Sequence, residues 1–440
     1  MSRARTRHRA LPPKPVTVEV DGITHGGEGV ARIEGKAVFV PGALPGERVT
    51  IRVTDDRKRW ARATLVEVHT PAPDRVEPPC PYVPACGGCD LQHVSPAGQL
   101  RLKTRIVREQ LERIGRVEAP PVEPCRAVGP ALGYRAQARL HADPTGHLGF
   151  HRAGSDEVVA IDRCLVLTAG AQQLRAEVGD QTGAQEVRIR RFTPGGPGSV
   201  VLTPGPGPLE LPGGDADLLL TQPDGRTVAM RGDGEVEVEV EGLSFLVPAS
   251  SFFQPGVDAA AALLGEVLAA AGDVTGALCW DLYSGVGLLA LGLARAGAEV
   301  VAVEGDDLAT DAAARNAARN GLALEVHSEP VGRFLRTAAD VAAHQAGAGE
   351  PAPQPTAALD PPDVVVLDPP RTGAGAEVLT DLTRLTPAAI VYVACDPAAL
   401  ARDTRTLAGL GYRLERAQPL DLFPMTHHVE VVASFAPTAG

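Results

Sequence analysis

Hydrophobic and polar residues alternate in short runs in the first part of the chain. Between Val16 and Val68 the runs VTVEV, AVFV, RVTIRV and ATLVEV have the two-residue period of half-buried β-strands, and turns with Gly or Pro separate them. This pattern predicts a small OB-like β-barrel over residues 10–70.

The next part of the chain, residues 71–250, gives weaker signals. A segment punctuated by Pro carries several cysteines, and uneven strand and turn patterns follow it to about Val247. Within them Thr193–Gly214 is rich in Gly and Pro, which predicts long turns rather than regular structure. We expect an α+β central domain here.

After Ser250 short apolar strands alternate with helical patterns. A predicted helix over Asp258–Ala271 is followed in turn by the strand ALCWDLY, a helix from Val286, the strand EVVAVE, a helix to Asn320, the strand LALEVHS, a helix near Val331–Ala343, an extended loop, and the strands DVVVLD, AIVYVAC and VEVVASF. This rhythm predicts a Rossmann-like α/β domain over residues 251–440, with a doubly wound sheet that binds ligands at the carboxyl ends of its strands.

The composition excludes several classes of protein. With 440 residues, 44% hydrophobic and 22% charged, the chain is typical of a globular protein. The long uncharged run Phe192–Leu209 is interrupted by Gly and Pro, so we expect no membrane-spanning segment. The first residues, MSRARTRHRALPPKP, have no apolar core of a secretory signal, so we expect a cytoplasmic location.

The net charge of -12 argues at first against a nucleic-acid partner, but the charge is unevenly distributed. Residues 1–116 contain 20 Lys and Arg against 13 Asp and Glu, whereas residues 117–440 contain 22 against 41. The basic part holds all four lysines and the alternating arginines Arg3, Arg5, Arg7 and Arg9. It is either a solvated tail or a polyanion-binding end on an otherwise acidic protein.

A glycine-rich turn follows the strand CWDL. Gly285 and Gly287 begin a G-x-G-x-x-A pattern that leads into a helix, and glycine there lets the backbone turn tightly and approach a ligand. Glu304 ends the next strand, where its carboxylate would accept hydrogen bonds from ribose hydroxyls. A packing role explains a glycine turn alone, but the acidic strand end favours a nucleoside cofactor.

NAD and S-adenosylmethionine both fit such a site. The strand DVVVLDPPRTGAG places Asp368 and two prolines at the next ligand-facing strand end, which a dehydrogenase does not require. This turn resembles the DPP-type motif of S-adenosylmethionine-dependent methyltransferases that act on bases. We therefore predict S-adenosylmethionine as the cofactor.

Cys395 stands at the end of the strand AIVYVAC, directly before a helix start at Asp396-Pro397. An isolated cysteine is often a small buried hydrophobe. A helix N-terminus favours the thiolate, however, so a nucleophile is predicted at this rim. Glu430 begins the final strand and is a candidate general base. The pair suits methylation of uracil carbon 5, which needs thiolate addition at carbon 6 and later removal of the carbon-5 proton.

Five segments, FFQPG, DLYSGVG, DPPRTG, YVACDPAALARD and FPMTHHVE, resemble the RNA 5-methyluridine methyltransferase family, and THGGEG with the residues after it resembles a TRAM domain, an RNA-binding barrel. The resemblance implies a structured RNA substrate, ribosomal or transfer RNA, whose target uridine is flipped out. We infer no obligate protein partner. The same family resemblance implies that Cys395 is the nucleophile and that Glu430 is the base. Implied S-adenosylmethionine contacts are Gln254, Tyr283, Glu304 and Asp368, and Arg371, Thr426 and His428 also match motif positions.

Three positions depart from the family pattern. Gly256 and Asp396 stand where relatives usually or often have Asn, and Leu288 replaces a polar residue that contacts the cofactor in some relatives. These changes concern details of the cofactor and nucleophile surroundings rather than the nucleophile.

Four cysteines form a candidate metal site. Cys80, Cys86 and Cys89 lie in CPYVPACGGCD, and Cys164 is available from the middle region. The spacing alone favours zinc. The family resemblance implies a [4Fe-4S] cluster held by these four residues. Two further cysteines are interpreted as packing residues, Cys125 and Cys279.

Two other functions remain open on the sequence. A methyltransferase acting on an exocyclic nitrogen would share the DPP-type turn and would not need Cys395. A non-catalytic RNA-binding or redox-sensing iron–sulfur protein would need only the barrel and the cysteines.

Overall fold

The computed structural model describes residue 11 and residues 14–348 and 360–438. The predicted arginine-rich tail and most of the predicted extended loop lie outside these residues. The N-terminal part is a closed barrel with the strand order β1-β2-β3-β5-β4. Its strands are β1 (Val16–Ile23), β2 (Gly29–Ile33), β3 (Lys36–Val40), β4 (Arg48–Asp56) and β5 (Trp60–Thr70).

The barrel forms because alternate residues of each strand point inwards. Val38, Val40, Val49 and Ile51 are completely buried in its interior. The predicted barrel is therefore confirmed.

The middle of the chain forms one mixed sheet, one hairpin and two helices. The seven-stranded sheet has the order β13-β12-β11-β10-β7-β8-β9, and β14 pairs with β15. The elements are α1 (Pro96–Arg113), β6 (Arg126–Ala127), β7 (Gln137–Ala142), β8 (Leu148–His151), β9 (Val158–Ala160), α2 (Ala169–Val178), β10 (Ala184–Arg191), β11 (Gly198–Pro204), β12 (Asp217–Thr221), β13 (Thr227–Arg231), β14 (Glu235–Val240) and β15 (Leu243–Pro248).

Strand β11 corrects one prediction. The sequence pattern predicts long turns over Thr193–Gly214, but Gly198–Pro204 is an interior strand between β10 and β12. Val200, Val201 and Leu202 are buried, so this run lacks the polar alternation of a half-exposed strand. The Gly and Pro residues belong to the turns at its two ends.

The remaining elements build a second sheet with the order β18-β17-β16-β19-β20-β22-β21-β6. They are α3 (Val257–Ala271), β16 (Leu278–Leu282), α4 (Leu288–Arg295), β17 (Glu299–Glu304), α5 (Asp307–Arg319), β18 (Glu325–Ser328), α6 (Val331–Ala348), β19 (Val364–Leu367), α7 (Ala376–Arg384), β20 (Ala389–Ala394), α8 (Pro397–Gly409), β21 (Tyr412–Asp421) and β22 (Glu430–Pro437).

Helices cover both faces of this sheet, which confirms the predicted doubly wound fold. Leu263 of α3 and Leu291 of α4 lie in the core on one face, and Phe334 of α6 and Leu400 of α8 lie in the core on the other. Helix α1 and strand β6 of the middle region also join this unit, so the division at residue 250 stays a prediction. No helix among the described residues is long and apolar enough to cross a bilayer.

Candidate active site at the carboxyl edge of the second sheet

The parallel strands β16, β19 and β20 end side by side. Leu282 pairs with Leu367, which pairs with Tyr392 of β20. The backbone N–H of Asp368 donates to the carbonyl oxygen of Leu282 at 3.2 Å. The residues that follow these strands therefore meet at one edge, as the sequence pattern predicts.

The antiparallel strand β22 brings the predicted base to the predicted nucleophile. The ladder between β20 and β22 ends with Ala394 opposite Val431, and Cys395 and Glu430 are the next residue of each chain segment beyond this pair. The charge of Glu430 acts on the Cys395 thiol, so the two groups are near each other. The structure thus brings together two residues that lie far apart in the chain.

The electrostatics at Cys395 differ from the prediction. Burial first, and then the charges of Glu430 and Asp368, raise the pKa of its thiol to about 12, although the positive charge of Arg371 lowers it. Helix α8 begins as predicted, but the Asp396 carboxylate caps it by accepting the N–H of Ala399 at 2.7 Å. Burial and the neighbouring carboxyl groups thus oppose the thiolate that the helix N-terminus favours, and the role of Cys395 as nucleophile stays a prediction.

Glu430 is a buried carboxyl group. It is 5% exposed, and its Oε1 atom has no hydrogen-bond partner among the described residues. Burial first, and then the charge of Asp368, raise the pKa of Glu430 well above its usual range, while Arg371 lowers it. Burial also raises the pKa of Asp368 to about 7. An unpartnered acid–base group beside a thiol is chemically poised for proton transfer.

A cavity of about 110 Å³ contains the nucleophile. Its walls come from the second sheet, the loop before β22 and the turn between β1 and β2 of the barrel. The lining residues are His25, Gly26, Arg371, Cys395, Asp396, Pro397, His427, His428 and Val429. The sequence pattern does not single out His25 or Gly26, because THGGEG by itself indicates only a barrel turn.

The loop before β22 is tightly folded. Thr426 donates its hydroxyl to the carbonyl of Phe423 at 2.8 Å, and the N–H of His428 donates to the Thr426 hydroxyl at 3.3 Å. Burial and the neighbouring positive groups lower the pKa of His428 to about 4, so its ring is neutral at pH 7. His428 thus lines the cavity as a neutral side chain, and Thr426 shapes the loop.

The glycine-rich turn has the conformation that its residue types require. Gly287 has a φ of 89°, and a Cβ there would lie 2.8 Å from Leu291 Cδ1. Tyr283 also has a positive φ, 65°, although it is not glycine. Such backbone strain in a non-glycine residue is typical of functional turns.

Glu304 organises this turn. Its Oε2 accepts the N–H of Gly285 at 3.0 Å, and its Oε1 accepts the N–H groups of Gly305 at 2.7 Å and Asp306 at 2.9 Å. A carboxylate has about four acceptor positions, so one remains for a ligand hydroxyl. The predicted ribose contact is compatible with this arrangement and stays a prediction.

Asp281 is a site residue that the sequence reasoning missed. It is completely buried in β16, two residues before Tyr283, and burial together with the charges of Asp368 and Glu304 raises its pKa. A carboxyl group inside the apolar strand LCWDL is a signal that could have found it. Three carboxyl groups at one end favour a cofactor with cationic groups over the anionic pyrophosphate of NAD.

Gln254 lies on the segment between β15 and α3. It is buried, and the side chain of Gln137 donates to the carbonyls of Phe253 and Gln254 at 2.7 and 3.5 Å. Gly256 follows, where a Cβ would lie 2.3 Å from the carbonyl oxygen of Tyr134. This close approach explains why glycine replaces the usual asparagine.

The other two departures are also accommodated. Asp396 caps α8 as asparagine would. Leu288 begins α4 and is buried in the core against the sheet.

The four predicted metal ligands line one cavity of about 170 Å³. Burial raises the pKa of Cys89 to about 12, and the neighbouring thiols of Cys164, Cys86 and Cys80 raise it too. Among the described residues, no group of three or more His, Cys, Asp or Glu side chains is arranged to hold a metal ion. Cys125 and Cys279 are buried in the core, as predicted.

The fold and the site define a class of protein. The second sheet is doubly wound, its antiparallel strand β22 lies between β20 and β21, a glycine turn follows β16, and an acidic residue ends β17. Together with Cys395 and Glu430 at the same edge, these features define a Rossmann-like methyltransferase.

Comparison with known proteins narrows the class. Family models described as a TRAM domain and as tRNA (Uracil-5-)-methyltransferase match residues 14–66 and 354–435. An uncharacterized RNA methyltransferase of Streptomyces avermitilis is 36% identical, with 96% of this chain and 98% of that protein covered. The 23S rRNA (uracil(1939)-C(5))-methyltransferase RlmD of Shewanella amazonensis is 34% identical, with 96% and 95% covered. The chain belongs to the family of TRAM-containing RNA uracil-C5 methyltransferases.

A solved structure agrees with the fold. The Pyrococcus abyssi tRNA (uracil-54, C5)-methyltransferase, in complex with S-adenosyl-L-homocysteine, superposes with a TM-score of 0.72 over 96% of this chain and 100% of that chain. Its sequence is 24% identical. The predicted family and fold class are confirmed, and the two alternative functions are no longer supported.

Proposed function

We propose that this enzyme forms 5-methyluridine in large-subunit ribosomal RNA, with Cys395 as nucleophile, Glu430 as base and S-adenosylmethionine as methyl donor. The observation that carries the proposal is the proximity of the two groups: the β20–β22 ladder ends at Ala394 and Val431, the neighbours of Cys395 and Glu430, and the Glu430 charge acts on the Cys395 thiol. Several full-length relatives named as 23S rRNA methyltransferases support the ribosomal substrate. A cytoplasmic location remains our expectation.

The reaction begins at Cys395. Its sulfur forms a bond to carbon 6 of the flipped uracil, and the displaced electron pair makes carbon 5 nucleophilic. Bound S-adenosylmethionine would supply the methyl group that carbon 5 takes up, and S-adenosylhomocysteine would be the leaving group. The Glu430 carboxylate then removes the carbon-5 proton, the electron pair of that bond restores the double bond, and the carbon–sulfur bond breaks to release the thiolate.

The charges around Cys395 determine when this attack occurs. The thiol must lose its proton first, and the Arg371 charge lowers the pKa values of both Cys395 and Glu430. Arg371 therefore favours the deprotonated forms that act as nucleophile and base. The charges of Glu430 and Asp368 have the opposite effect on Cys395 and favour its protonated thiol in the free enzyme.

The cofactor is assigned to the turn after β16. Gln254, Tyr283, Gly285, Gly287, Glu304 and Asp368 are the proposed contacts, to which we add Asp281. The carboxyl groups of Asp281, Glu304 and Asp368 suit the sulfonium and ammonium charges of S-adenosylmethionine.

We also propose that Cys80, Cys86, Cys89 and Cys164 hold a [4Fe-4S] cluster. All four line one cavity, and thiolates are the ligands of iron–sulfur clusters. The cluster transfers no electrons in the methylation, so its role here is structural. Iron and acid-labile sulfide in the purified protein, with less than one equivalent of zinc, would support this assignment.

Trapping with 5-fluorouridine RNA tests the mechanism. Fluorine at carbon 5 cannot leave as a proton, so a covalent RNA–protein adduct accumulates on the enzyme in the presence of S-adenosylmethionine. We expect no adduct with Cys395→Ala, and full adduct with Cys125→Ala as the matched control, because Cys125 is a buried cysteine outside the cavity. An equal adduct on Cys395→Ala would overturn the mechanism.

A second variant tests the base. Glu430→Gln retains the nucleophile but cannot remove the proton, so ordinary uridine RNA should now accumulate as the adduct. Comparing the yield of 5-methyluridine on 23S rRNA and on transfer RNA transcripts tests the substrate. Methylation of transfer RNA alone would contradict the ribosomal assignment while leaving the chemistry intact.

A further inference from the structure

A second cavity, of about 640 Å³, lies between the middle sheet and the catalytic part. Strands β7, β10 and β11 form one wall, and residues 249–252 together with Arg371 form the other. We call it the arginine groove, because five of its lining residues are arginines: Arg135, Arg139, Arg188, Arg190 and Arg371. Arg371 also lines the Cys395 cavity, so the two cavities share a wall.

The groove carries like charges at a cost to the fold. Arg139 of β7 and Arg188 of β10 stand directly opposite each other in the antiparallel ladder. Like charges in this position destabilise a sheet. The pair therefore does not stabilise the sheet, and the binding of an anion between the two side chains is the simplest explanation for its presence.

The positive charge is only partly neutralised inside the protein. Glu186 is the one acidic partner described for this pair, with its carboxylate oxygens 3.5 Å from Arg139 Nε and 3.2 Å from Arg188 Nε. One carboxylate thus serves two guanidinium groups, and Arg188 Nε makes no hydrogen bond within the described residues. The side chain of Arg139 is 64% exposed, so it is accessible to a ligand.

Arg190 has a different role from its neighbours. It is buried and donates to Gln137 Oε1 at 3.0 Å and to the carbonyls of Pro248 at 2.9 Å and Ser251 at 2.7 Å. Burial, and then the charge of Arg188, lower the pKa of Arg190 to about 10. Arg190 therefore fixes the segment before Gln254 against the sheet, whereas Arg139 and Arg188 remain for an external anion.

We propose that the arginine groove binds the phosphodiester backbone of the RNA strand next to the target uridine. Guanidinium groups recognise phosphate oxygens in a bidentate manner, and a row of them follows a nucleic-acid backbone. Because Arg371 belongs to both cavities, a strand held by Arg139 and Arg188 enters the Cys395 cavity from this side. The inference rests on the proposed RNA substrate. It gives the enzyme a second RNA-contacting surface besides the barrel.

The test measures RNA binding against salt concentration, using an oligouridylate of about twelve nucleotides as the probe. For Arg139→Gln/Arg188→Gln we expect weaker binding at low salt. The slope of log K against log salt should be less steep by about 1.4, because each single-strand phosphate that is no longer neutralised reduces it by about 0.7. The matched control is Arg226→Gln, an exposed arginine of the β12–β13 turn in the same sheet, which should bind as the wild type does. Unchanged affinity and slope in the double variant would overturn the groove assignment.

Two further measurements separate this proposal from the proposed function. Removal of the opposed charges should leave the melting temperature of the double variant equal to that of the wild type or higher. If the double variant fails to fold, the single variant Arg139→Gln tests the groove instead, with an expected change of about 0.7 in the slope of log K against log salt. The 5-fluorouridine adduct on the double variant should need a higher RNA concentration for half of its maximal yield than the adduct on the wild type. Absence of the adduct on the wild type itself would refute the catalytic mechanism and leave the salt test of the groove valid.

Discussion

Asp90 accepts the backbone N–H of His427 at 2.7 Å and also bonds to its imidazole. Asp90 directly follows the proposed cluster ligand Cys89, and His427 lines the nucleophile cavity. The cysteine loop and the loop before β22 are therefore in direct contact. This contact gives the cysteine site a physical connection to the chemistry without any electron transfer.

Met425 strengthens the same connection. It has a φ of 69°, its N–H donates to Gln99 Oε1 at 2.8 Å, and its carbonyl accepts the N–H groups of Asp90 and Leu91 at 3.1 and 3.0 Å. Its side chain packs in a small core with Cys89 and Tyr134. The surrounding structure thus holds Met425 in a conformation that the chain alone disfavours.

We predict that Asp90→Ala slows adduct formation with 5-fluorouridine RNA by about tenfold, which corresponds to an increase of about 1.4 kcal/mol in the activation free energy. Without the hydrogen bonds to His427, the loop that ends at Glu430 is less well fixed. S-adenosylmethionine affinity, measured by calorimetry, should not change. Asp162→Ala is the control. Asp162 contacts Tyr82, which lines the cavity of the four cysteines, but it makes no described contact with the loop before β22. Equal rates in the two variants would contradict the connection.

The rate of adduct formation should rise with pH between about pH 6 and 9. The pKa of Cys395 is raised to about 12, so its thiol is mostly protonated at neutral pH, and the pKa of Glu430 is raised as well. The nucleophile acts only without its proton, and raising the pH increases that fraction. Single-turnover rates at saturating RNA would check this, and a rate that falls as the pH rises would exclude it.

Arg371→Gln should move this profile to higher pH. The Arg371 charge lowers the pKa of Cys395, so its removal leaves less thiolate at a given pH. A shift of about one pH unit would reduce the rate at neutral pH about tenfold. Arg402→Gln is the control, because Arg402 is an exposed arginine on α8 whose side chain donates to the carbonyl of Thr372. A reduced rate at every pH, without a shift, would assign Arg371 to RNA binding alone.

Restoration of the family residue at position 256 should destabilise this chain. In Gly256→Asn the new Cβ would meet the carbonyl oxygen of Tyr134, and we expect a decrease of about 1–3 kcal/mol in the free energy of unfolding. Gly265→Ala in helix α3 is the control, because nothing lies within 4 Å of its Cβ position and alanine favours a helix by about 0.5–1 kcal/mol. Urea denaturation compares the two variants. A more stable Gly256→Asn would show that the segment adapts.

The sequence was sufficient for the placement of Cys395 and Glu430 but not for their charge state. Both follow from strand ends and motifs, which are local properties of the chain. The pKa of Cys395 depends on carboxyl groups that β19 and β22 bring together and on its burial, none of which is local.

Two other differences have similar causes. The strand β11 is hidden in the sequence because a window rich in Gly and Pro averages its turns with the buried run SVVLT. His25 and Gly26 give no signal because their contact with the Cys395 cavity joins the first and last parts of the chain. Asp281, by contrast, is detectable as a carboxyl group inside an apolar strand.

The barrel turn at His25 and Gly26 has a consequence for biosynthesis. These residues are translated early, whereas Glu430 and His428 are translated late, and all but Glu430 line the same cavity. Domains generally fold from the N-terminus during synthesis. A nascent chain on the ribosome can therefore present a folded barrel before the residues that complete the Cys395 cavity have been synthesised.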